Sequence, residues 1–505
     1  MGRPEAFQTP YGSWLGVTEH LKATATSRLN TKTGRPGLSR QWQTDRTSFI
    51  LSIERREKNR RCESPCDRET CGSYPRLSGR FQMSSPITTA EVDRNFANPC
   101  SKWHEKGALP YQTDGKLAFQ RLRQPLFTPA IRPGFRLRRE DKLFAIGSCF
   151  ARGIEWALIK QKMDVLSKTT EFDSFPAIND EARLGFTNKY NTFSIYNELC
   201  WALDPAAKFP RESLVDIGDG LFYDPHANPA LQLASLEETI HRHQIIESVT
   251  RRIAQCRVVI ITLGLAEVWR DKVANIFLNH APIRDAVRSH PDRYEFHITN
   301  FAQNLSNLER IHTLLSQFGH ADVQIVVTVS PVPLRATFSG EDVVLANTYS
   351  KSLLRTVAQE WAAAHKNVHY FPSYEIVQNS DRLVTWEEDL RHVKAKVAEH
   401  IMKLFLRHYL AGSPDTPYKL SASPNPVPAG VGRGKTTISW SSDGDAVAVV
   451  YMSKDGAEPA LFASGSHGSK EARWIEAGAT YEFGLYGGPN LNTPLAQVSV
   501  TRLKH

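Results

Sequence analysis

The chain has 505 residues, is 41% hydrophobic and carries a formal charge of +9. At roughly 150 residues per domain, that length excludes a single ordinary domain and points to two or three. Residues 1–82 hold 15 Lys and Arg against 8 Asp and Glu, so seven of the nine excess positive charges lie there and the rest is almost neutral; no nucleic-acid partner is expected from charge.

Residues 1–82 are rich in Arg, Ser, Thr, Gly and Pro, with little apolar periodicity. Such composition buries too little apolar surface to order itself, so a disordered extension is expected. An upstream mis-called start is one reading, because Met83 opens an ordinary text. Cys62, Cys66 and Cys71 cluster there but lack a fourth ligand at a usual spacing, so no metal site is expected. The other four cysteines are scattered and give no disulfide framework. No long apolar run and no secretory pattern is visible, so a cytoplasmic protein without a transmembrane segment is expected. Residues 83–139 read as an irregular lead-in.

From residue 140 the text becomes regular. Leu143 to Ile146, Val258 to Leu263, Val323 to Val329 and Val368 to Phe371 are short apolar runs. Helix-length segments separate them: Leu236 to Gln255, Ile298 to Gln317 and Asp342 to Ala364; a last helix spans Val393 to Leu410. β-branched runs alternating with amphipathic helices predict α/β architecture, a doubly wound parallel sheet over 140–412. Residues 413–505 change character. Short alternating strands punctuated by Gly, Asp and Asn predict a small all-β immunoglobulin-like sandwich with no cysteine. Trp440, Trp474, Tyr481 and Tyr486 look exposed on the pattern, although one tryptophan is expected in the core. A structural or docking role is the expectation for this region, with sugar binding as the minority view.

In open α/β sheets, sites lie beyond the carboxyl ends of the strands. Gly147-Ser148-Cys149-Phe150-Ala151 puts a hydroxyl where the first strand becomes a helix. There, N–H groups of the helix start face developing negative charge; the plain alternative is a helix cap. Asp389-Leu390-Arg391-His392 precedes the last helix, and a three-residue spacing can set both side chains on one helix face. A carboxylate so placed holds an imidazole as general base, and with Ser148 the set supplies nucleophile, base and orienter.

These strings, with Asn191-Thr192-Phe193-Ser194-Ile195, Thr262-Leu263-Gly264, Thr328 to Val332, Ser350-Lys351 and Phe371 to Glu375, resemble the bacterial GSCFA family, itself similar to the SGNH/GDSL hydrolases. The resemblance spans about 140–410. It implies a Ser148–Asp389–His392 triad and an esterase or O-acyltransferase that needs no cofactor. The implied partner is an acylated carbohydrate, with acetyl the leading acyl group. The implied oxyanion hole takes the Ser148 N–H, Gly264 and an asparagine. Leu265-Ala266-Glu267 follows the glycine, so the asparagine is absent from its expected place; Asn191 or Asn188 is the replacement, with a helix cap the equal alternative for Asn191. Val393 stands where proline usually follows the histidine. Cys149 is expected to pack rather than react. Glu267 and Ser330 are substrate-side candidates, with Trp269 and Glu375 behind them; Arg251-Arg252 reads as a solvated helix face. A catalytically weak or inactive glycan-binding or assembly protein is the alternative.

Overall fold

A computed structural model of the protein describes residues 88–110, 115–173, 175, 185–228, 231–411, 416–442, 448–487 and 494–503. The expected disordered extension and the Cys62, Cys66 and Cys71 cluster lie outside these residues. Two short helices, α1 (Thr89–Ala97) and α2 (Ala118–Arg121), fall in the lead-in.

The centre is a five-stranded sheet: β1 (Lys142–Gly147), β2 (Asp164–Val165), β5 (Val258–Leu263), β9 (Gln324–Val329) and β10 (Val368–Tyr370). Their spatial order is β10-β9-β5-β1-β2, and every pairing is parallel. Parallel strands need crossovers, and the helices that make them cover both faces. One core joins Leu143, Ala145, Val258 and Ile260 to α3 (Cys149–Lys160) and α11 (Ala395–Tyr409). The other joins Phe144, Ile146, Val259, Ile261 and Val327 to α4 (Thr192–Leu203), α7 (Phe301–Phe318) and α8 (Val343–Ala364). Alternate residues of one strand therefore feed opposite cores, which is why these strands read as unbroken apolar runs.

The chain leaves β1 toward β2 and resumes on the other side of β1 at β5. This reversal leaves a crevice above the carboxyl ends of β1 and β5, where ligands bind in such sheets. Between β2 and β9 the chain adds a hairpin of β3 (Val215–Gly218) and β4 (Leu221–Tyr223), helix α5 (Leu236–Arg251), and a meander of β6 (Glu267–Asp271), β7 (Ile276–Phe277) and β8 (Tyr294–Ile298) with α6 (Arg284–Ser289); of these, β6 reaches the crevice. After β10 come α9 (Ser373–Gln378) and α10 (Arg382–Thr385).

The C-terminal region consists of two antiparallel sheets. One holds β11 (Tyr418–Ser423), β12 (Gly434–Ser442) and β15 (His467–Ile475). The other holds β13 (Val449–Lys454), β14 (Ala460–Ser464), β16 (Thr480–Tyr486) and β17 (Ala496–Thr501). Their inner faces share one core. The aromatics that looked exposed mostly fill it: Trp440 and Tyr481 are buried, and Trp474 stacks on Phe483. Tyr418 ties this region to the α/β part, its hydroxyl donating to Ile131 O at 3.0 Å and lying 3.3 Å from His408 Nδ1.

Candidate active site

Gly147 ends β1 with φ +135°, and a Cβ there would lie 2.2 Å from Thr262 O, so only glycine makes this turn. The turn delivers Ser148 to the N-cap position of α3. Ser148 is 3% exposed and makes no side-chain cap, so its hydroxyl is not used on the helix. Its Oγ lies 3.3 Å from Thr262 Oγ1 on β5. Its N–H donates to Thr262 Oγ1 at 2.9 Å, so that expected oxyanion donor is already engaged. The sequence reading overlooked Thr262 as the partner of both atoms.

Gly264 closes the other side of the crevice. A Cβ there would lie 2.6 Å from Tyr190 O and 3.4 Å from Ser148 Cβ, so the close approach needs glycine. The turn after it is braced from α8: Lys351 Nζ donates to Gly264 O at 2.8 Å, and Ser350 Oγ accepts from Ala266 N at 2.9 Å. Lys351 is 1% exposed and has no carboxylate in ion-pair reach among the described residues. Burial lowers its amine from 10.5 to about 7, since an ammonium in an apolar surround is costly.

Residues 188–191 cross beside Gly147. Lys189 N donates to Gly147 O at 2.7 Å, and its buried ammonium pairs with Glu198 at 2.6 Å. Asn279 clamps the same segment, donating to Asn188 O at 2.8 Å and accepting from Tyr190 N at 3.0 Å. Here the structure corrects an expectation: Asn191 is not a free oxyanion amide. Its Oδ1 caps α4 through Ser194 N at 2.8 Å, and its Nδ2 donates to Leu278 O and Asn279 O. Asn188, which pairs with Gly147 by a bridge, keeps a buried Oδ1 without a partner and a single 3.2 Å bond from Nδ2 to Tyr190 Oη.

Asp389 and His392 face each other, but not across a helix. α11 begins only at Ala395, and the pair sits in a turn before it. Asp389 Oδ1 accepts from Arg391 N at 2.9 Å and His392 N at 3.0 Å, a fold-back in which Leu390 takes φ +53°. Asp389 Oδ2 then meets His392 Nδ1 at 2.5 Å. The two amide N–H groups hold the Asp389 carboxyl down to about 2, so it is ionised at neutral pH. With Nδ1–H on Asp389, Nε2 is an acceptor, and Arg391 Nη1 fills it at 2.9 Å. Among the described residues no hydrogen bond joins His392 to Ser148.

Both nevertheless line one cavity of about 1130 Å³, together with Cys149, Asn188, Tyr190 and Gly264. Burial pushes the Cys149 thiol up, with Arg391 and Lys351 opposing, so it is a thiol rather than a thiolate. Ser330 is wholly buried in the wall with an unpartnered Oγ. Glu267 also lines the cavity, but its carboxylate holds the opposite rim, accepting from Thr337 Oγ1 at 2.5 Å and Phe338 N at 3.4 Å. Trp269, Phe296 and Phe338 pack as an aromatic cluster there, and Trp156 stands in the same cavity. Glu375 belongs elsewhere: it binds Arg355 and Tyr370 in a separate cleft. Arg251 and Arg252 pair with Glu247 and Glu171 at the surface.

Fold and site together define an α/β protein with a serine hydroxyl and an acid–imidazole pair in one cavity at the carboxyl edge of a parallel sheet. The GSCFA family model matches residues 142–405, and the chain belongs to that family. No curated protein matches the chain. Among solved structures, a GH3 β-glucosidase from Bifidobacterium adolescentis aligns at 12% identity over 73% of this chain with a TM-score of 0.12. The chain spans about half the length of that protein, covering 50% of it, and a likeness so low carries no argument. Among the described residues no helix is long and apolar enough to cross a membrane.

Proposed function

We propose that this GSCFA protein is an SGNH-like serine esterase or O-acyltransferase acting on an O-acyl group, acetyl foremost, of a carbohydrate or surface polysaccharide. The observation that carries the reading is the shared cavity. Ser148, forced to the sheet edge by Gly147, opens into the same space as an imidazole already oriented by an ionised carboxylate.

His392 Nε2 takes the Ser148 proton as Oγ attacks the acyl carbon. Asp389 stays ionised and stabilises the imidazolium. The Gly264 N–H and the Asn188 amide are the oxyanion donors on this reading. The ester C–O bond then breaks, His392 returns its proton to the departing sugar oxygen, and water or an acceptor hydroxyl resolves the acyl-enzyme. The aromatic rim at Trp156, Trp269 and Phe338 offers faces on which sugar rings stack. The two-sheet C-terminal region is read as an immunoglobulin-like docking module.

A second reading, a glycan-binding or assembly protein without turnover, is favoured by two contacts: the Ser148 N–H is held by Thr262, and Arg391 covers His392 Nε2. Acetate release from O-acetylated oligosaccharides, with and without an acceptor sugar, discriminates. The esterase reading expects release that Ser148→Ala abolishes. Release that survives in Ser148→Ala, or glycan binding with no release, overturns it.

A further inference from the structure

Arg391 stands at the one atom that the proposed chemistry needs free. Its Nη1 donates to His392 Nε2 at 2.9 Å, and while it does, that lone pair cannot accept the Ser148 proton.

The placement is built by the backbone rather than by a competing partner. Leu390 is held at φ +53°, a left-handed conformation that costs a non-glycine residue energy, by the two amides that Asp389 Oδ1 accepts. That turn aims residue 391 into the cavity. Yet the side chain has little holding it. Among the described residues Arg391 has no carboxylate in ion-pair reach, and its Nε is buried without a partner. Arg152 and Arg293, by contrast, pair with Glu155 at 2.6 Å and Asp271 at 2.5 Å.

Among the described residues the cavity wall carries charge of both signs without ion-pair partners. Arg335, exposed on the same wall, has no ion-pair partner either among the described residues. Lys351 lies close enough for the Arg391 charge to act on it. Of the acids, Asp389 is engaged by His392, and Glu267 by Thr337 and Phe338; Glu387 is exposed in the cavity wall.

We infer that the ester substrate carries an anionic group, a carboxylate or a phosphate, and that this group draws Arg391 away from His392. This deepens the esterase reading and rests on it. The anion accepts the guanidinium N–H donors, including the unpartnered Nε–H, which suits a bidentate oxyanion. Nη1 leaves Nε2, whose lone pair then takes the Ser148 proton as Oγ attacks. Arg391 acts as a substrate-binding residue that couples recognition to exposure of the base, so acidic esters are turned over and neutral ones meet a covered histidine.

The test uses the full chain and Arg391→Met. Its probes are O-acetylated oligogalacturonate, an acetylated hexose phosphate and neutral O-acetylated xylo-oligosaccharide. Wild type is expected to prefer an acidic ester, and which acidic probe wins tells carboxylate from phosphate. Arg391→Met should lose about 10- to 100-fold in kcat/KM on that ester, the worth of one charged hydrogen bond, and should gain on the neutral one. Calorimetric binding of the same oligosaccharides to Ser148→Ala, with and without Arg391→Met, adds a readout free of turnover. Turnover with no acid preference and no effect of Arg391→Met overturns the anion gate alone. Arg391-dependent binding of acidic ligand without any turnover overturns the esterase reading alone. Neither turnover nor Arg391-dependent binding overturns both.

Discussion

Replacing Lys351 by methionine removes a buried amine while roughly keeping its volume, and the pH dependence of the effect can be worked out. The amine falls from 10.5 to about 7 on burial. Between those values the unfolded chain holds a proton that the folded chain does not, so the folded state gains stability as pH rises through that window. Below about 7 the folded state bears the full cost of a charged amine. At about 1.4 kcal/mol per pH unit that cost is roughly 5 kcal/mol at most, and relaxation brings it nearer 3. Methionine also loses the 2.8 Å bond to Gly264 O, about 1 kcal/mol. Lys351→Met should therefore be more stable than wild type by about 2–4 kcal/mol at low pH, with the difference vanishing or reversing near pH 10.5. Paired urea unfolding of the two proteins across this range measures it, and groups common to both cancel in the difference. A difference that does not change with pH, or a variant that is less stable at low pH, would refute the reasoning.

Other perturbations separate binding, chemistry and architecture. Asn188→Ala should lower kcat by about 10²–10³ with the fold intact, as for loss of one oxyanion donor; Asn191→Ala should instead lower stability by about 2–4 kcal/mol through loss of a helix cap and of the amide bonds to Leu278 O and Asn279 O, read by thermal shift. Glu267→Ala releases Thr337 and Phe338, so KM for an acylated oligosaccharide should rise about 5- to 30-fold while a small aryl ester is unaffected. Tyr418→Phe deletes the hydroxyl contacts to Ile131 O and His408, costing about 1 kcal/mol in unfolding and nothing in turnover.

The sheet was legible because its strands are buried on both faces and its helices are long. Val258–Leu263 was found to the residue, and Asp342 stands as the cap of α8 where the expected helix began. The two-residue β2 carries too little pattern to be seen, and the meander β6, β7, β8 is half-buried and polar, with turns such as Asn275 at φ +52°. Gly147, Ser148, Asp389 and His392 were visible as strings at strand and helix ends. How they are held was not. The three-residue spacing of Asp389 and His392 suggested one helix face, yet an Asx-type fold-back with Leu390 in the left-handed region makes the contact, and spacing does not distinguish the two. Asn191 was ambiguous because amide caps and amide donors use the same side chain; only its neighbours Leu278 and Asn279, nearly ninety residues away in sequence, decide it. The roles of Thr262, Asn279 and Arg391 carry no local signal, since each acts through contacts set by the fold.

The central claim is an activated hydroxyl at Ser148, and fluorophosphonate labelling followed by peptide mapping tests it most directly. The account predicts an adduct on Ser148 that is absent from Ser148→Ala and forms more slowly in Asp389→Asn. A folded Arg391→Met protein, its His392 uncovered, that takes no label over many hours, or an adduct that maps to another residue, would contradict it.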